Sequence, residues 1–138
     1  MLVLVDTPVW SLALRRKKRD LNPREQRVTN ALRELIQDGR AQLVGPVRQE
    51  LLSGIHKESS FKKLRDQLRA FEQTTLDVAD YEEAARVSNQ CRANAVAGSA
   101  IDFLICAIAL RRTWQIFTAD RDFIRYASAL PLKLYSAP

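Results

Sequence analysis

Residues 2–9 have the sequence LVLVDTPV, in which an apolar run passes directly into a helix start. The run Leu2–Val5 is too short for a helix and is typical of a buried strand. Thr7 and Pro8 then predict a helix with threonine at its N-cap and proline at its first position. The chain therefore begins with a strand–helix unit of the kind that builds α/β folds. Asp6 lies between the strand and the helix.

Short apolar strands and amphipathic helices continue to alternate along the chain. Further strands are predicted at Gln42–Val44, Thr74–Leu76, Trp114–Thr118 and Leu132–Leu134. Helices are predicted around Val28–Ile36, from Gly45 and Pro46, from a cap at Ser59 or Ser60, from Asp77, over Ile101–Leu110 after Ser99, and over Arg121–Ala127. This order indicates an α/β sandwich around a parallel sheet. Because no linker, low-complexity tract or repeat interrupts it, we expect residues 1–138 to form one domain.

Basic residues are concentrated in one half of the chain. The whole sequence has 22 Lys and Arg against 16 Asp and Glu, a net charge of +6. Residues 15–72 hold 15 basic and 8 acidic side chains, a net of +7, whereas residues 73–138 hold 7 of each sign. The excess indicates a surface that faces a polyanion, most simply nucleic acid. A basic face that only keeps the protein in solution is the other interpretation, and charge alone leaves both open.

The scarcity of cysteine and histidine excludes several classes of site. Cys91 and Cys106 form no close pair, which argues against a disulfide scaffold and a CxxC zinc or redox site. A single histidine, His56, argues against a Ser-His-Asp triad and a multi-histidine zinc site. The glycine motifs of dinucleotide and P-loop sites are missing. The longest uncharged apolar run, Phe103–Leu110, is too short to span a membrane, and we expect a soluble, cytoplasmic protein without a secretory signal.

Four carboxylates occupy positions that an ordinary solvated surface does not explain. Asp6 and Asp120 each follow a predicted strand, at the strand end where ligands of parallel α/β sheets bind. Asp102 is the only charge in an apolar helix, and a buried, unpaired carboxylate is costly. Glu50 lies at the edge of the inward-facing stripe of its helix. Each position also has a structural interpretation, as a helix cap, a helix-terminal charge or a boundary residue.

Several carboxylates at one sheet edge predict a bound cation, because like charges that lie close together oppose each other's ionisation. Asp122, two residues after Asp120, is a further candidate ligand. With no histidine or cysteine nearby the ligands are all hard oxygens, which suit Mg²⁺ or Mn²⁺. One or two such ions can hold a scissile phosphate and lower the pKa of a bound water. A nuclease is therefore predicted, and a non-catalytic RNA-binding or regulatory module of the same fold is the alternative.

Four segments carry these residues in a recognisable order: LVLVDT at 2–7, PVRQELLSG at 46–54, SAIDFLICAIAL at 99–110 and FTADRDF at 117–123. Together they resemble the PIN-domain ribonucleases, and more narrowly the VapC-type toxins of bacterial and archaeal toxin–antitoxin pairs. The resemblance covers essentially the whole chain. It implies a PIN-like, three-layer α/β/α fold with a small central parallel sheet of four to five strands.

The resemblance also implies a set of site residues. Asp6, Glu50 and Asp102 match three near-invariant acids of the family's metal site, which makes them the expected metal ligands and catalytic residues. The fourth acidic position falls on Asp120, and Asp122 shares or replaces that role. Two further positions, Thr7 and Thr118, match polar residues that flank the site.

By the same resemblance, the protein is expected to be an Mg²⁺- or Mn²⁺-dependent endoribonuclease, a homodimer, and the target of a VapB-like antitoxin. Such an antitoxin covers a groove of the toxin and directs a basic side chain toward the acids. The helix with Trp10 and Leu14 and the helix over residues 24–38 are the candidates for that groove, with Trp10 itself expected in the core. The RNA phosphates are expected to contact Arg15, Arg16, Lys17, Lys18 and Arg19, together with Arg48, Lys62 and Lys63.

Overall fold

The computed structural model describes all 138 residues as four short strands and seven α-helices. The strands are β1 (Val3–Val5), β2 (Ala41–Val44), β3 (Gln73–Thr74) and β4 (Gln115–Phe117). The helices are α1 (Thr7–Arg15), α2 (Pro23–Gln37), α3 (Gly45–Leu52), α4 (Glu58–Leu68), α5 (Val78–Ala93), α6 (Ala100–Arg112) and α7 (Asp122–Ala129), and a 3₁₀ turn (Lys18–Asp20) lies between α1 and α2. None of these helices has the length and apolar character needed to cross a membrane.

The four strands form one parallel sheet in the order β3-β2-β1-β4. Val5, at the end of β1, pairs with Phe117, at the end of β4, so the residues that follow these strands leave the sheet side by side. The predicted last strand is reduced to one parallel bridge between Leu134 and Ile116. The predicted α/β class with a parallel sheet flanked by helices is confirmed.

Strand β1 and the middle of α6 are buried because their residues are apolar on every side. All three residues of β1 are fully buried, as expected for a strand covered on both faces. Most of α6 from Phe103 to Ala109 is buried as well. Asp80 on α5 is fully buried too, and its carboxylate lies 2.7 Å from the Arg111 guanidinium and 2.6 Å from that of Arg112. This ion pair joins α5 to the carboxyl end of α6.

The predicted N-cap of α1 is wrong by one residue. Asp6, not Thr7, occupies the N-cap: its backbone is extended, and its Oδ1 accepts a hydrogen bond from the Thr7 amide at 2.8 Å. Both residue types cap helices well, so the local sequence does not distinguish them. Thr7 is instead the first residue of the helix, which leaves its hydroxyl free for a contact with another part of the chain.

Two other boundaries also differ from the prediction. Neither Ser59 nor Ser60 caps α4, because the helix already begins at Glu58, whose charge suits the first turn. The third strand is Gln73–Thr74 rather than Thr74–Leu76. Asp77, as predicted, caps α5, which begins at Val78.

Candidate metal centre

Parallel pairing of β1 with β4 brings Asp6 next to Thr118. Both residues directly follow the last pair of the register, Val5 with Phe117. The Thr118 hydroxyl donates a hydrogen bond to Asp6 Oδ2 at 2.7 Å. The other oxygen of Asp6 caps α1, so both oxygens of this buried carboxylate are held in place.

Two threonines connect Asp6 to the acids on neighbouring elements. The Thr7 hydroxyl donates to Oε1 of Glu50 on α3 at 2.7 Å. Thr118 Oγ1 accepts a hydrogen bond from the Asp120 amide at 2.9 Å. Oδ1 of Asp120 in turn accepts one from the Asp122 amide at 2.9 Å. The predicted flanking residues Thr7 and Thr118 therefore lie between the carboxylates and orient them.

Asp102, Asp120 and Asp122 form the tightest acidic group. Each offers a carboxylate oxygen, and these three oxygens all lie within 4.8 Å of one another. Asp102 is half-buried in the first turn of α6, and its Oδ2 accepts a hydrogen bond from the Tyr126 hydroxyl at 2.7 Å. Asp122 is more exposed and forms an ion pair with Arg125 at 3.0 Å. A charge partner thus exists for Asp122 within the chain, but not for Asp102 or Asp120.

Burial raises the pKa of Asp6 from 3.8 to about 6. Hydrogen bonds from Thr118 and from the Thr7 amide oppose this rise, because they stabilise the charged form. The negative charges of Asp102 and Glu50 add to it. Asp6 therefore carries the largest electrostatic cost in the cluster, and that cost falls when positive charge is nearby.

Burial also raises the pKa of Asp102, and the hydrogen bond from Tyr126 works in the opposite direction. The charges of Asp120 and Glu50 raise it further. The five predicted acids therefore act on one another across α3, α6 and the ends of β1 and β4. Mutual repulsion of this kind is relieved by a divalent cation.

The donor set fits Mg²⁺ or Mn²⁺, because it consists of carboxylate oxygens and contains no histidine. Cys106 lies on α6 one turn after Asp102 and is fully buried. Burial, followed by the nearby charge of Asp102, raises the pKa of its thiol far above the usual range. A thiol buried in this way is a poor candidate for a soft thiolate ligand of the site.

A groove of about 540 Å³ lies between α1 and the loop after β4, and its lining reaches the neighbours of Thr7 and Asp120 but includes none of the five acids. Its lining includes Pro8, next to Thr7, and Ala119, next to Asp120, with Arg15 and Arg16 further along α1. The side chains of residues 15–19 are all exposed. Arg16 also forms an ion pair with Glu25 at 3.1 Å, which fixes its position on the groove wall.

The other predicted phosphate contacts lie elsewhere. Arg48 donates a hydrogen bond from Nε to Gln73 Oε1 at 2.9 Å, which ties it to the edge strand β3. Lys62 and Lys63 are exposed on α4. Neither group lines the groove beside the acids.

Tyr126 and Arg125 are the contacts of the acidic cluster that sequence analysis missed. On α7 Tyr126 follows Phe123 by three residues, which is the spacing of an ordinary core stripe. The one available signal was chemical, since a buried tyrosine hydroxyl needs a hydrogen-bond partner. The sequence gives no means of choosing that partner on another helix.

Comparisons with known proteins give the family. The PIN domain model matches residues 3–129, nearly the whole chain. No curated protein sequence gives a significant match. The fold is similar to that of FitAcB from Neisseria gonorrhoeae, with a TM-score of 0.74, 19% identity and coverage of 99% of this chain and 98% of that one.

Two further structures show the same fold. VapBC2 from Rickettsia felis, bound to a DNA fragment from its promoter, has a TM-score of 0.74 and 15% identity, with 98% of each chain covered. A toxin–antitoxin complex from Klebsiella pneumoniae has a TM-score of 0.65 and 15% identity, with 88% of this chain and 89% of that one covered. These similarities concern the fold alone. The PIN domain model, in contrast, extends over the segments that carry all five acids, and on this match the protein belongs to the PIN domain family.

Proposed function

We propose that this PIN domain is a metal-dependent endoribonuclease that serves as the toxin of a toxin–antitoxin pair. The observation that carries the proposal is the convergence of five carboxylates, from four separate parts of the chain, beside a groove with a basic wall. Fixed carboxylates next to exposed arginines suit a phosphodiester substrate, because the acids hold metal and the arginines hold phosphate.

The ligands in this proposal are Asp6, Glu50, Asp102 and Asp120. A bound Mg²⁺ or Mn²⁺ would supply positive charge at the scissile phosphate and lower the pKa of a water molecule. Asp122 is the alternative for the fourth position, because its carboxylate lies within 4.8 Å of those of Asp102 and Asp120 but also forms an exposed ion pair with Arg125. Thr7 and Thr118 hold the carboxylates in orientation through the contacts described above.

The substrate in this proposal is RNA that passes along the groove between α1 and the loop after β4. Arg15 is placed to contact a phosphate that flanks the cleaved bond, and Arg16 would do so by exchanging its ion pair with Glu25 for the phosphate. The neighbouring residues Lys17, Lys18 and Arg19 are exposed and extend the positive surface. The contact of Arg48 with β3 makes it a weaker candidate.

An antitoxin is the proposed partner of a second groove, of about 260 Å³, between α1 and α2. Its lining combines apolar and cationic side chains: Leu12, Ala13, Leu21, Leu32 and Ile36 with Arg16, Lys18 and Arg33. This combination suits an amphipathic segment that carries acidic residues. Trp10 takes no part, because it is fully buried and its indole donates to the Val5 carbonyl at 3.0 Å. The Klebsiella neighbour, a toxin–antitoxin complex, supports this partner class.

The proposed oligomer is a homodimer, and the proposed organisation is a single domain. Val78 and Tyr81 lie one turn apart on α5 and are 73% and 57% exposed, so together they offer a small apolar surface that a second subunit would cover. A single cluster of 27 buried residues, drawn from all parts of the chain, supports one domain.

Incubation of purified protein with mixed transfer RNA and with total RNA tests the proposed function. We expect cleavage with Mg²⁺ or Mn²⁺, none with a chelator, and none by Asp102→Asn under either condition. Asp66→Asn is the matched control, because Asp66 is an exposed aspartate on another helix and should retain cleavage. RNA that is bound equally with or without metal, and never cleaved, would show a non-catalytic module instead.

A further inference from the structure

The Tyr126 hydroxyl forms one hydrogen bond, and its acceptor is a proposed metal ligand. Tyr126 is 1% exposed, and its hydroxyl donates to Asp102 Oδ2 at 2.7 Å. The backbone amide of Asp102 is bound to Ser99 Oγ at 3.1 Å, so the start of α6 is fixed independently. The phenol therefore acts on the orientation of the carboxylate and not on the start of the helix.

Packing fixes the position of the phenol ring. The rings of Phe103 and Phe123 contact Tyr126 at centroid distances of 5.4 and 5.1 Å, both in edge-to-face arrangements. A ring held between two other rings has few alternative rotamers. The hydroxyl is therefore a preorganised donor, whose position does not depend on the carboxylate that it binds.

The loop before α6 approaches Tyr126 at a residue without a side chain. A Cβ atom on Gly98 would lie 2.7 Å from the Tyr126 hydroxyl and 2.7 Å from Phe103 Cζ, closer than real Cβ atoms come. Arg125 donates to the Ala97 carbonyl at 3.2 Å and joins this loop to α7. The close approach thus requires glycine at position 98 and is maintained by a contact beside it.

We propose that Tyr126 is a positioning residue of the metal centre and that Gly98 makes room for it. The phenol binds Oδ2 of Asp102 and fixes the plane of the carboxylate. This hydrogen bond occupies Oδ2, so Oδ1 is the oxygen that would face the cation. This inference rests on the proposed metal site. Hydrogen bonds to ligating carboxylates typically change metal affinity by about 10–100-fold.

Mn²⁺ binding to the full chain, measured by titration calorimetry in the absence of RNA, tests the inference. Tyr126→Phe removes the hydroxyl and keeps the ring, and we expect its Mn²⁺ affinity to fall at least about 10-fold. Tyr135→Phe is the matched control, because that ring packs on Phe117 and its hydroxyl makes no side-chain contact. Its affinity should equal that of the unmodified protein. Thermal unfolding in chelator identifies any variant that binds metal weakly because it no longer folds.

Gly98→Ala provides a second, independent test. It retains the phenol but forces it to move, so it should also weaken Mn²⁺ binding. In a Tyr126→Phe background the same change should have little further effect, because the hydrogen bond is already gone. Should Tyr126→Phe fail to fold, folded Gly98→Ala protein with unchanged affinity would refute the inference.

The outcomes separate this inference from the proposed function. Loss of Mn²⁺ binding by Asp102→Asn, with full binding by Tyr126→Phe, overturns the positioning role and leaves the metal site in place. Absence of Mn²⁺ binding by the unmodified protein overturns both. The role of Tyr126 is supported if Tyr126→Phe and Gly98→Ala each reduce Mn²⁺ affinity and the double variant loses no more affinity than Tyr126→Phe alone.

Discussion

Replacement of Asp6 by asparagine should stabilise the metal-free protein at neutral pH. The carboxylate is 3% exposed, and burial raises its pKa to about 6 from 3.8. Each pKa unit corresponds to about 1.4 kcal/mol, so ionised Asp6 costs the folded protein about 3 kcal/mol. Asparagine carries no charge and retains an oxygen that can accept the hydrogen bond from the Thr7 amide.

The sign of the pH dependence follows from the raised pKa. Between pH 3.8 and about 6 the folded protein binds a proton at Asp6 that the unfolded chain has released. The contribution of Asp6 therefore favours folding at low pH, falls as pH rises through this window, and reaches its full cost above about 6. The advantage of Asp6→Asn should be greatest at about pH 8 and should vanish near pH 4.

Urea unfolding of both proteins in chelator, across this pH range, measures the effect. The difference between the two free energies of unfolding isolates Asp6, because other titrating groups occur in both. Added Mn²⁺ should stabilise the unmodified protein and leave Asp6→Asn unchanged, which reverses their order. A variant that is less stable at every pH, by a constant amount, would refute the assignment of a destabilising buried charge to Asp6.

Two further predictions concern the buried ion pair and the basic groove. Asp80→Asn should lower the free energy of unfolding by about 1.5–3 kcal/mol, since it weakens the charged hydrogen bonds from Arg111 and Arg112 while Arg111 keeps its ion pair with Asp77. If the free energy of unfolding in urea falls by less than about 1 kcal/mol, the ion pair is effectively solvated. The second prediction is tested in an Asp102→Asn background, which blocks cleavage so that RNA binding can be measured. Replacement of Arg15 and Arg16 by alanine should reduce the slope of log affinity against log salt concentration. The expected reduction is about 0.7 for each phosphate that the variant no longer neutralises. Lys133→Ala, an exposed charge in the neutral half, is the control, and an equal change in its slope would argue against the groove.

The sequence predicted the acidic edge of the sheet because that edge depends on short-range pattern. Asp6 and Asp120 follow strands whose apolar character is evident, and parallel pairing then brings strand ends together. Asp102 stands out in the sequence as the only charge in an apolar helix, and the structure places it in the same cluster. These inferences need only the order of elements and not their detailed packing.

What the sequence did not predict depends on contacts between distant residues. Thr7 and Asp6 are both good caps, and the choice between them is linked to a hydrogen bond from Thr7 to Glu50, 43 residues away. The partner of Tyr126 lies 24 residues away on another helix. Local propensity contains no information about such pairs, because it does not fix the angle or depth at which two helices pack.

The contrast between the two fully buried carboxylates is the strongest physical argument for a cation. Asp80 is held by two arginines, and hydrogen bonding to them lowers its pKa well below the usual range. Asp6 has only neutral donors, Thr118 and a backbone amide, and two further carboxylates raise its pKa. Neither side chain is exposed to solvent, but Asp80 has two cationic partners and Asp6 has none. The chain supplies no cation for Asp6, so its charge has to be neutralised by a bound ligand. Because several carboxylate oxygens lie close together at this site, a divalent metal ion is the ligand that fits.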